Sequence, residues 1–387
     1  MLDQLDCQTI ETDRKRTLEA IYYISKDELN QEKEKVFFRS WLYACHASEL
    51  SDPGSFVTIK IFDQNLFLVK DREDKIRAFY NVCPHRGHQL VEGSGKKSRI
   101  TCPYHAWTFA LDGKRIGARS SETLAGPSND EICLSEIRVD HLVDFIFINL
   151  DPQAQPLSVF APGLEEQILS IEPDLPSMRP EETVQLDIDY PCEANWKVLV
   201  DNYLECHHCL NAHDQFNDMM DLGKSSFALN QNYTFQIAPT EDKAENKAFP
   251  LDRNHDITTG HFWWLFPNTL IGQFPGAKGF YLSTVTPVTP DSTMRKSVTL
   301  KPPAPTDPEM EQRHNQRAEW FPTVSAEDKA LCENVQRGMH QRGYQQGWYV
   351  TDPEAHDISE HAMRYFHDLY LAAMKTQVAC SSAFQSK

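Results

Sequence analysis

No run in this chain approaches the roughly 18 consecutive apolar residues that a membrane-spanning helix needs, although 40% of its 387 residues are apolar. The opening residues, Met1-Leu2-Asp3-Gln4-Leu5-Asp6, lack the basic-then-apolar order of a signal peptide, so a cytoplasmic location is expected. Positive charge is scarce. Lys and Arg number 38 against 56 Asp and Glu, a formal net charge of −18. That speaks against nucleic acid as a partner, because phosphate binding rests on clustered Lys and Arg. The same acidity would attract cationic ligands, and serves solubility equally well. The ten cysteines are scattered rather than framed, and a chain of this length has no need of disulfide staples, so a reducing compartment is expected. There is no internal repeat.

What is present is concentrated in two short clusters, Cys83-Pro84-His85 and Cys102-Pro103-Tyr104-His105, with sixteen residues between His85 and Cys102. Each offers one thiolate and one imidazole. That is the ligand set of a Rieske centre, a [2Fe-2S] cluster with two cysteines on one iron and two histidines on the other. A structural Cys₂His₂ zinc site usually pairs cysteine with cysteine and histidine with histidine, an order this chain does not follow. Trp107 follows the second pair, and Leu111-Asp112-Gly113-Lys114 reads as a hairpin turn.

The periodicity predicts an α+β protein of two domains: a small antiparallel β Rieske [2Fe-2S] domain, and a larger domain whose antiparallel sheet is flanked by helices. Residues 1–42 read as an N-terminal helical segment, with charged and apolar positions alternating over 15–40. Short period-two segments over 43–152, such as 56–61, 66–69 and 146–150, make the β domain. A proline-rich linker with one short helix spans 153–182. Over 183–387 the pattern predicts helices at about 193–215, 325–345 and 357–375, and strands at about 183–190, 230–238, 261–274, 278–287 and 294–301.

A second metal site is expected on the stretch Asp201-Asn202-Tyr203-Leu204-Glu205-Cys206-His207-His208-Cys209, followed by His213. A mononuclear iron that activates O₂ takes two histidines and one carboxylate on one face. Glu205 and His208, three apart, share a helical face. His208 and His213, five apart, lie about 140° apart on an ideal helix. Joint ligation therefore requires the helix to bulge or break between them. The adjacent His207 and His208 with Cys206 and Cys209 could also describe a zinc knuckle. The third ligand is open on these grounds: Asp328 stands three residues after Ser325, which a helix-capping box explains without any metal.

Taken together, Cys83-x-His85…Cys102-x₂-His105, Asn195-Trp196-Lys197…Asp201-Asn202-Tyr203-x-Glu205-x₂-His208-x₄-His213 and Glu327-Asp328-x₂-Leu331-Cys332-Glu333 resemble the oxygenase (α) subunits of the Rieske non-haem iron oxygenases. The last block resembles the branch of choline monooxygenase, glycine betaine demethylase and carnitine monooxygenase. The resemblance implies a mononuclear Fe(II) held by His208, His213 and Asp328, and places Asp201, Asn202 and Glu205 in the catalytic set. It also implies electrons from NAD(P)H through a separate reductase, and a homotrimer in which Glu205 bridges the cluster of one subunit to the iron of its neighbour. Three positions depart from the usual pattern: Glu205 where Asp is common, as also in carnitine monooxygenase, His207 where Tyr is usual, and Asp214 where Pro often follows the last ligand.

The substrate class follows less directly. The segment His261 to Asn268 with Phe274 and Tyr281 is rich in aromatics, which can cage a quaternary ammonium by cation–π contact. Tyr203, Trp263, Trp264, Phe266, Phe274 and Tyr281 are the candidate lining. Alternation along a strand forces one of Trp263 and Trp264 away from any shared cavity. The expected reaction is hydroxylation of a small cation such as glycine betaine, choline, carnitine or a proline betaine, with N-demethylation. The alternative is hydroxylation of an aromatic acid.

Overall fold

The computed structural model describes residues 14–119, 128–181, 190–243, 245–303, 308–351 and 359–376. The chain forms two compact units. One is Phe38–Leu157; the other joins the residues up to Phe37 with those from Ser158 onward.

The smaller unit is built on a seven-stranded antiparallel sheet in the order Leu42–His46, Phe145–Asn149, Glu136–Leu142, Ile76–Tyr80, Gln64–Lys70, Ser55–Ile61, Ser94–Lys96. Its central members are buried along runs of successive residues, Leu66 to Val69 and Phe145 to Asn149, as expected of strands covered on both faces. A three-stranded sheet of Ile100–Thr101, Thr108–Phe109 and Arg115–Gly117 stands apart. The turn before its last strand needs glycine: Gly113 has φ +88°, and a Cβ there would meet the Phe79 ring at 2.6 Å.

The larger unit carries an antiparallel sheet in the order Arg179–Pro180, Ser292–Lys301, Phe280–Thr289, Thr269–Gln273, Thr259–Leu265, Tyr233–Pro239, Ser226–Asn230, with Tyr190–Cys192 pairing on Ser292–Lys301. Among the described residues five helices reach eight residues: α1 (Lys26–Lys35), α2 (Leu164–Ile171), α3 (Trp196–Tyr203), α4 (Pro308–Met339) and α5 (His361–Lys375).

Several elements differ from the sequence pattern. The lead-in over 15–40 opens as a strand, Arg16–Glu19, paired with Gln346–Trp348 from far along the chain, a partner no local pattern reveals. The proline-rich stretch holds two short helices, Leu157–Phe160 and α2. The strand expected at 183–190 lies outside the described residues except for Tyr190. The expected 230–238 strand is the second arm of a hairpin turning at Asn232 (φ +58°). The expected 261–274 strand is two strands that turn at Phe266-Pro267-Asn268, where proline cannot continue a ladder.

The largest difference is α4, which begins at Pro308 rather than near 325 and runs through Pro322. Ser325 is therefore buried mid-helix and caps nothing, because the helix continues on its N-terminal side. The capping explanation for Asp328 falls with it.

Candidate active site

In the smaller unit both cysteine–histidine pairs sit on loops of matching construction. The Gly87 amide donates to the Cys83 carbonyl at 2.9 Å, and the Ala106 amide to the Cys102 carbonyl at 3.0 Å. The Cys83 amide then closes on His88 and the Cys102 amide on Trp107, both at 2.8 Å. Each turn passes through a positive-φ residue, Gly87 and Ala106. Cys83 and Cys102 are packed into the domain core, close enough that Cys102 adds to the rise that burial imposes on the Cys83 thiol. The imidazoles of His85 and His105 stand 4.6 Å apart, and His85 stacks on Trp107. His105 Nδ1 is buried with no hydrogen-bond partner. Two adjacent buried thiols with two converging imidazoles, one carrying an orphaned ring nitrogen, fit a Rieske cluster.

In the larger unit, Asn195-Trp196-Lys197 explains how the second site is held. Asn195 caps α3, its side chain accepting from the Lys197 amide at 3.1 Å. Its Nδ2 donates to the carbonyls of Tyr23 and Pro290. Lys197 and Trp196 both reach the wholly buried Glu32 of α1, at 2.5 and 2.8 Å, and Tyr370 of α5 donates to the same carboxylate. The helix is thus tied to both ends of the chain.

α3 stops at Tyr203, well short of the expected 215. A turn follows, then short helices Cys209–Ala212 and Asp214–Met219. The break expected between His208 and His213 is present, and a further one precedes His208. Within the turn Cys206 and Cys209 come to a Cα separation of 5.0 Å and form a disulfide, correcting the expectation that the cysteines stay unpaired. Cys209 therefore offers no thiolate, although its sulfur is 3.8 Å from His208 Nε2, and a zinc knuckle is excluded.

The breaks turn His208 and His213 toward a single carboxylate. Asp328 Oδ1 lies 2.9 Å from His213 Nε2 and 3.4 Å from His208 Nε2. Each imidazole has a second carboxylate on its other nitrogen: Glu205 on His208 Nδ1 at 2.5 Å and Glu327 on His213 Nδ1 at 2.8 Å. Such outer carboxylates set the tautomer and orientation of metal-binding histidines. Asn202 Nδ2 donates to Asp328 Oδ1 at 3.2 Å. Burial alone would raise Asp328, but hydrogen bonds from both imidazoles override it and hold the carboxyl well below its usual range. Burial would likewise lower His208, but Asp328 and Glu205 raise it to about 10. Two imidazole nitrogens and one carboxylate oxygen converging at this distance fit a mononuclear iron with open positions.

A cavity opens beside these three residues, lined in part by Tyr203, Phe216, Gln236, Phe262, Phe274 and Tyr281. Tyr203 donates to the carbonyls of Trp263 and Ile271. Of the aromatics anticipated, Tyr203, Phe274 and Tyr281 reach the cavity. Trp263, Trp264 and Phe266 do not: they belong to the core, Trp263 against Phe235 and Gln167, Trp264 against Phe366 and Phe266. Asp201 points away from the iron site, to His367 at 2.8 Å and Tyr23 at 2.7 Å. Glu327, Phe216, Gln236 and Phe262 were not singled out by sequence. Glu327 had a signal, its place beside Asp328; the others become neighbours only through the sheet.

A Rieske fold and a two-histidine, one-carboxylate site on an α+β domain together define a class, and the chain belongs to it: the oxygenase α subunits of the Rieske non-haem iron oxygenases. Residues 40–127 match the Rieske [2Fe-2S] domain and residues 178–376 match the ring hydroxylating alpha subunit (catalytic domain). It is an oxidoreductase subunit with a Rieske cluster and a mononuclear iron, supplied with electrons by a reductase. The chain is 35% identical to the carnitine monooxygenase oxygenase subunit of Escherichia coli K12, over 93% of its own length and 94% of that protein's. It is 27% identical to the chloroplastic choline monooxygenase of Beta vulgaris, over 84% and 71%. A solved quaternary ammonium Rieske monooxygenase superimposes with TM-score 0.82 at 32% identity, covering 93% of this chain and 96% of that one. No helix among the described residues is long and apolar enough to cross a membrane.

Proposed function

We propose that this chain is the terminal oxygenase of a monooxygenase that hydroxylates a quaternary ammonium compound at an N-methyl group. The resulting carbinolamine collapses to formaldehyde and the demethylated amine. The observation that carries the reading is the convergence of His208, His213 and Asp328 beside a cavity walled by Tyr203, Phe262, Phe274 and Tyr281. Relatives that act on carnitine and choline support the substrate class.

Cys83, His85, Cys102 and His105 would hold the cluster, and His208, His213 and Asp328 the iron. When bound, the cluster supplies single electrons and the iron activates O₂. The surrounding residues orient and select. Glu205 and Glu327 keep both Nδ1 atoms protonated so that both Nε2 atoms are free to ligate. Asn202 steadies Asp328. The aromatic walls offer π faces to an ammonium, worth about 2 kcal/mol or more each when desolvated.

Glu205 would bridge to the cluster histidines of a neighbouring subunit in a homotrimer. His85 is exposed, and Val82 and Tyr104 beside it are exposed apolar residues, which suits an interface there. The reductase takes its electrons from NAD(P)H, and the system works in the cytoplasm.

A single-turnover assay tests the reading. The purified, iron-loaded protein is chemically reduced, freed of reductant and given O₂ with one candidate at a time. Formaldehyde from a betaine or carnitine is expected; an aldehyde from choline instead would keep the quaternary ammonium class but move the attacked carbon off the N-methyl group. Silence across the ammonium panel with turnover of an aromatic acid would reverse it.

A further inference from the structure

A second cavity shares Asn202, Tyr203, Phe274, Tyr281 and Asp328 with the one beside the proposed iron ligands. It also holds the guanidinium of Arg295. Arg295, on the Ser292–Lys301 strand, donates from Nη1 to the Tyr190 hydroxyl at 3.1 Å, with its guanidinium carbon 5.7 Å from that ring's centroid. Its Nε is buried with no hydrogen-bond partner. Among the described residues, no carboxylate lies within ion-pair distance of it.

Several other cations of the larger unit do have a carboxylate. Lys197 has Glu32 at 2.5 Å, Arg313 has Asp256 at 2.9 Å, and Lys329 in this same cavity has Glu333 at 3.8 Å. Arg317 donates to the Ala277 carbonyl and lines a different cavity. Arginine cannot shed its proton to relieve an unpaired burial. Its Nε and second Nη form the edge that a carboxylate accepts side-on, and in Arg295 Tyr190 occupies only the first Nη. The same cavity is lined by Asp328 and by the rings of Tyr203, Phe274 and Tyr281, so a cation, an anion and aromatic faces share it.

We propose that Arg295, oriented by Tyr190, anchors a carboxylate on the substrate, so that the substrate is a betaine, a zwitterion with a quaternary ammonium and an acid, rather than an amino alcohol. This rests on the quaternary ammonium reading above. It also accounts for how a strongly acidic protein would discriminate among small cations: the ammonium is common to all of them, and the acid is not.

The test is a matched pair, gamma-butyrobetaine and its methyl ester, which share the ammonium and differ in the acid. Binding to the iron-loaded chain is measured by calorimetry without O₂, and formaldehyde release in single turnover. The acid is expected to bind tighter than the ester on the order of a hundredfold. Arg295→Gln should close that gap by weakening the acid alone, and Arg295→Lys should restore part of it. Equal binding of acid and ester by the unaltered protein, with formaldehyde from both, would overturn the Arg295 anchor while leaving the quaternary ammonium reading intact, and needs no variant to fold. Neither compound binding or releasing formaldehyde would overturn both.

Discussion

At the scale of single residues, the iron site is a set of five acids and bases that hold one another. His208 and His213 each sit between two carboxylates, and Asp328 serves both. Glu327 is then a positioning residue. Glu327→Gln is expected to weaken iron binding about 10- to 100-fold while leaving the Rieske spectrum unchanged, as read by chelator competition and by visible absorbance. The same geometry sets a pH dependence. Without metal, burial acts to lower His208, but Asp328 and Glu205 raise it to about 10, so it carries a proton at neutral pH and must lose it to ligate. Raising the pH therefore favours loading. Apparent iron affinity should climb about tenfold per pH unit between pH 7 and 9 for this one released proton, with proton release detectable in weakly buffered solution. An affinity flat across that range would contradict the assignment. The Cys83 and Cys102 pairs were legible from spacing alone, because their ligands lie on short loops where sequence distance approximates spatial distance. Asp328 was not, because its partners lie 115 and 120 residues away and a local capping pattern explained it equally well.

At the scale of elements, the sequence periodicity located most strands of the larger sheet and three of its helices, but misjudged where those helices begin and end. α3 ends at Tyr203 because the chain must turn Glu205, His208 and then His213 inward, and helical spacing cannot do that. α4 continues through Pro322 because Trp320, Ser325, Cys332 and Gln336 bury one of its faces, and that packing outweighs the lost backbone hydrogen bond. Asp328, Cys332 and Gln336 are spaced by four and share that face. Gln336 accepts from the Asn195 amide, and Cys332 packs against the Val198 carbonyl, so α4 lies along α3 and delivers Asp328 to the two histidines. The Asn-Trp-Lys motif, whose meaning was not evident from sequence, is the fastening of α3. Glu32→Ala would leave Lys197 as an uncompensated buried charge and deprive Trp196 and Tyr370 of their acceptor. A loss of about 3–5 kcal/mol is expected, measured by denaturant unfolding, with cluster spectra retained in the folded fraction.

At the scale of the whole molecule, the proposed trimer makes the two metal sites of one chain partners of different neighbours. Sedimentation should give a particle of about three times 44.5 kDa. A complementation experiment is more discriminating. Cys83→Ser chains, without a functional cluster, and Asp328→Ala chains, without the iron, should each be inactive with the reductase. Dissociated and reassembled together, they should regain part of the activity, because a mixed trimer sets an intact cluster beside an intact iron site. No recovery from verified mixed trimers would mean that electrons stay within one chain.

The sequence by itself determined the α+β character and the absence of any long apolar run, and it singled out Cys83, His85, Cys102, His105, His208 and His213 as the proposed ligands, because each rests on residue chemistry or on periods of a few residues. The tertiary structure brought Asp328, which the resemblance had implied, against His208 and His213, and it alone decided that Cys206 and Cys209 pair, and that Trp263 and Trp264 belong to the core while Phe216, Gln236 and Phe262 line the cavity. It alone brought an unpaired guanidinium, Arg295, into a cavity shared with Asp328. Those outcomes depend on which strands and helices pack together, and cross-strand register and helix contacts between distant segments leave no mark on local spacing.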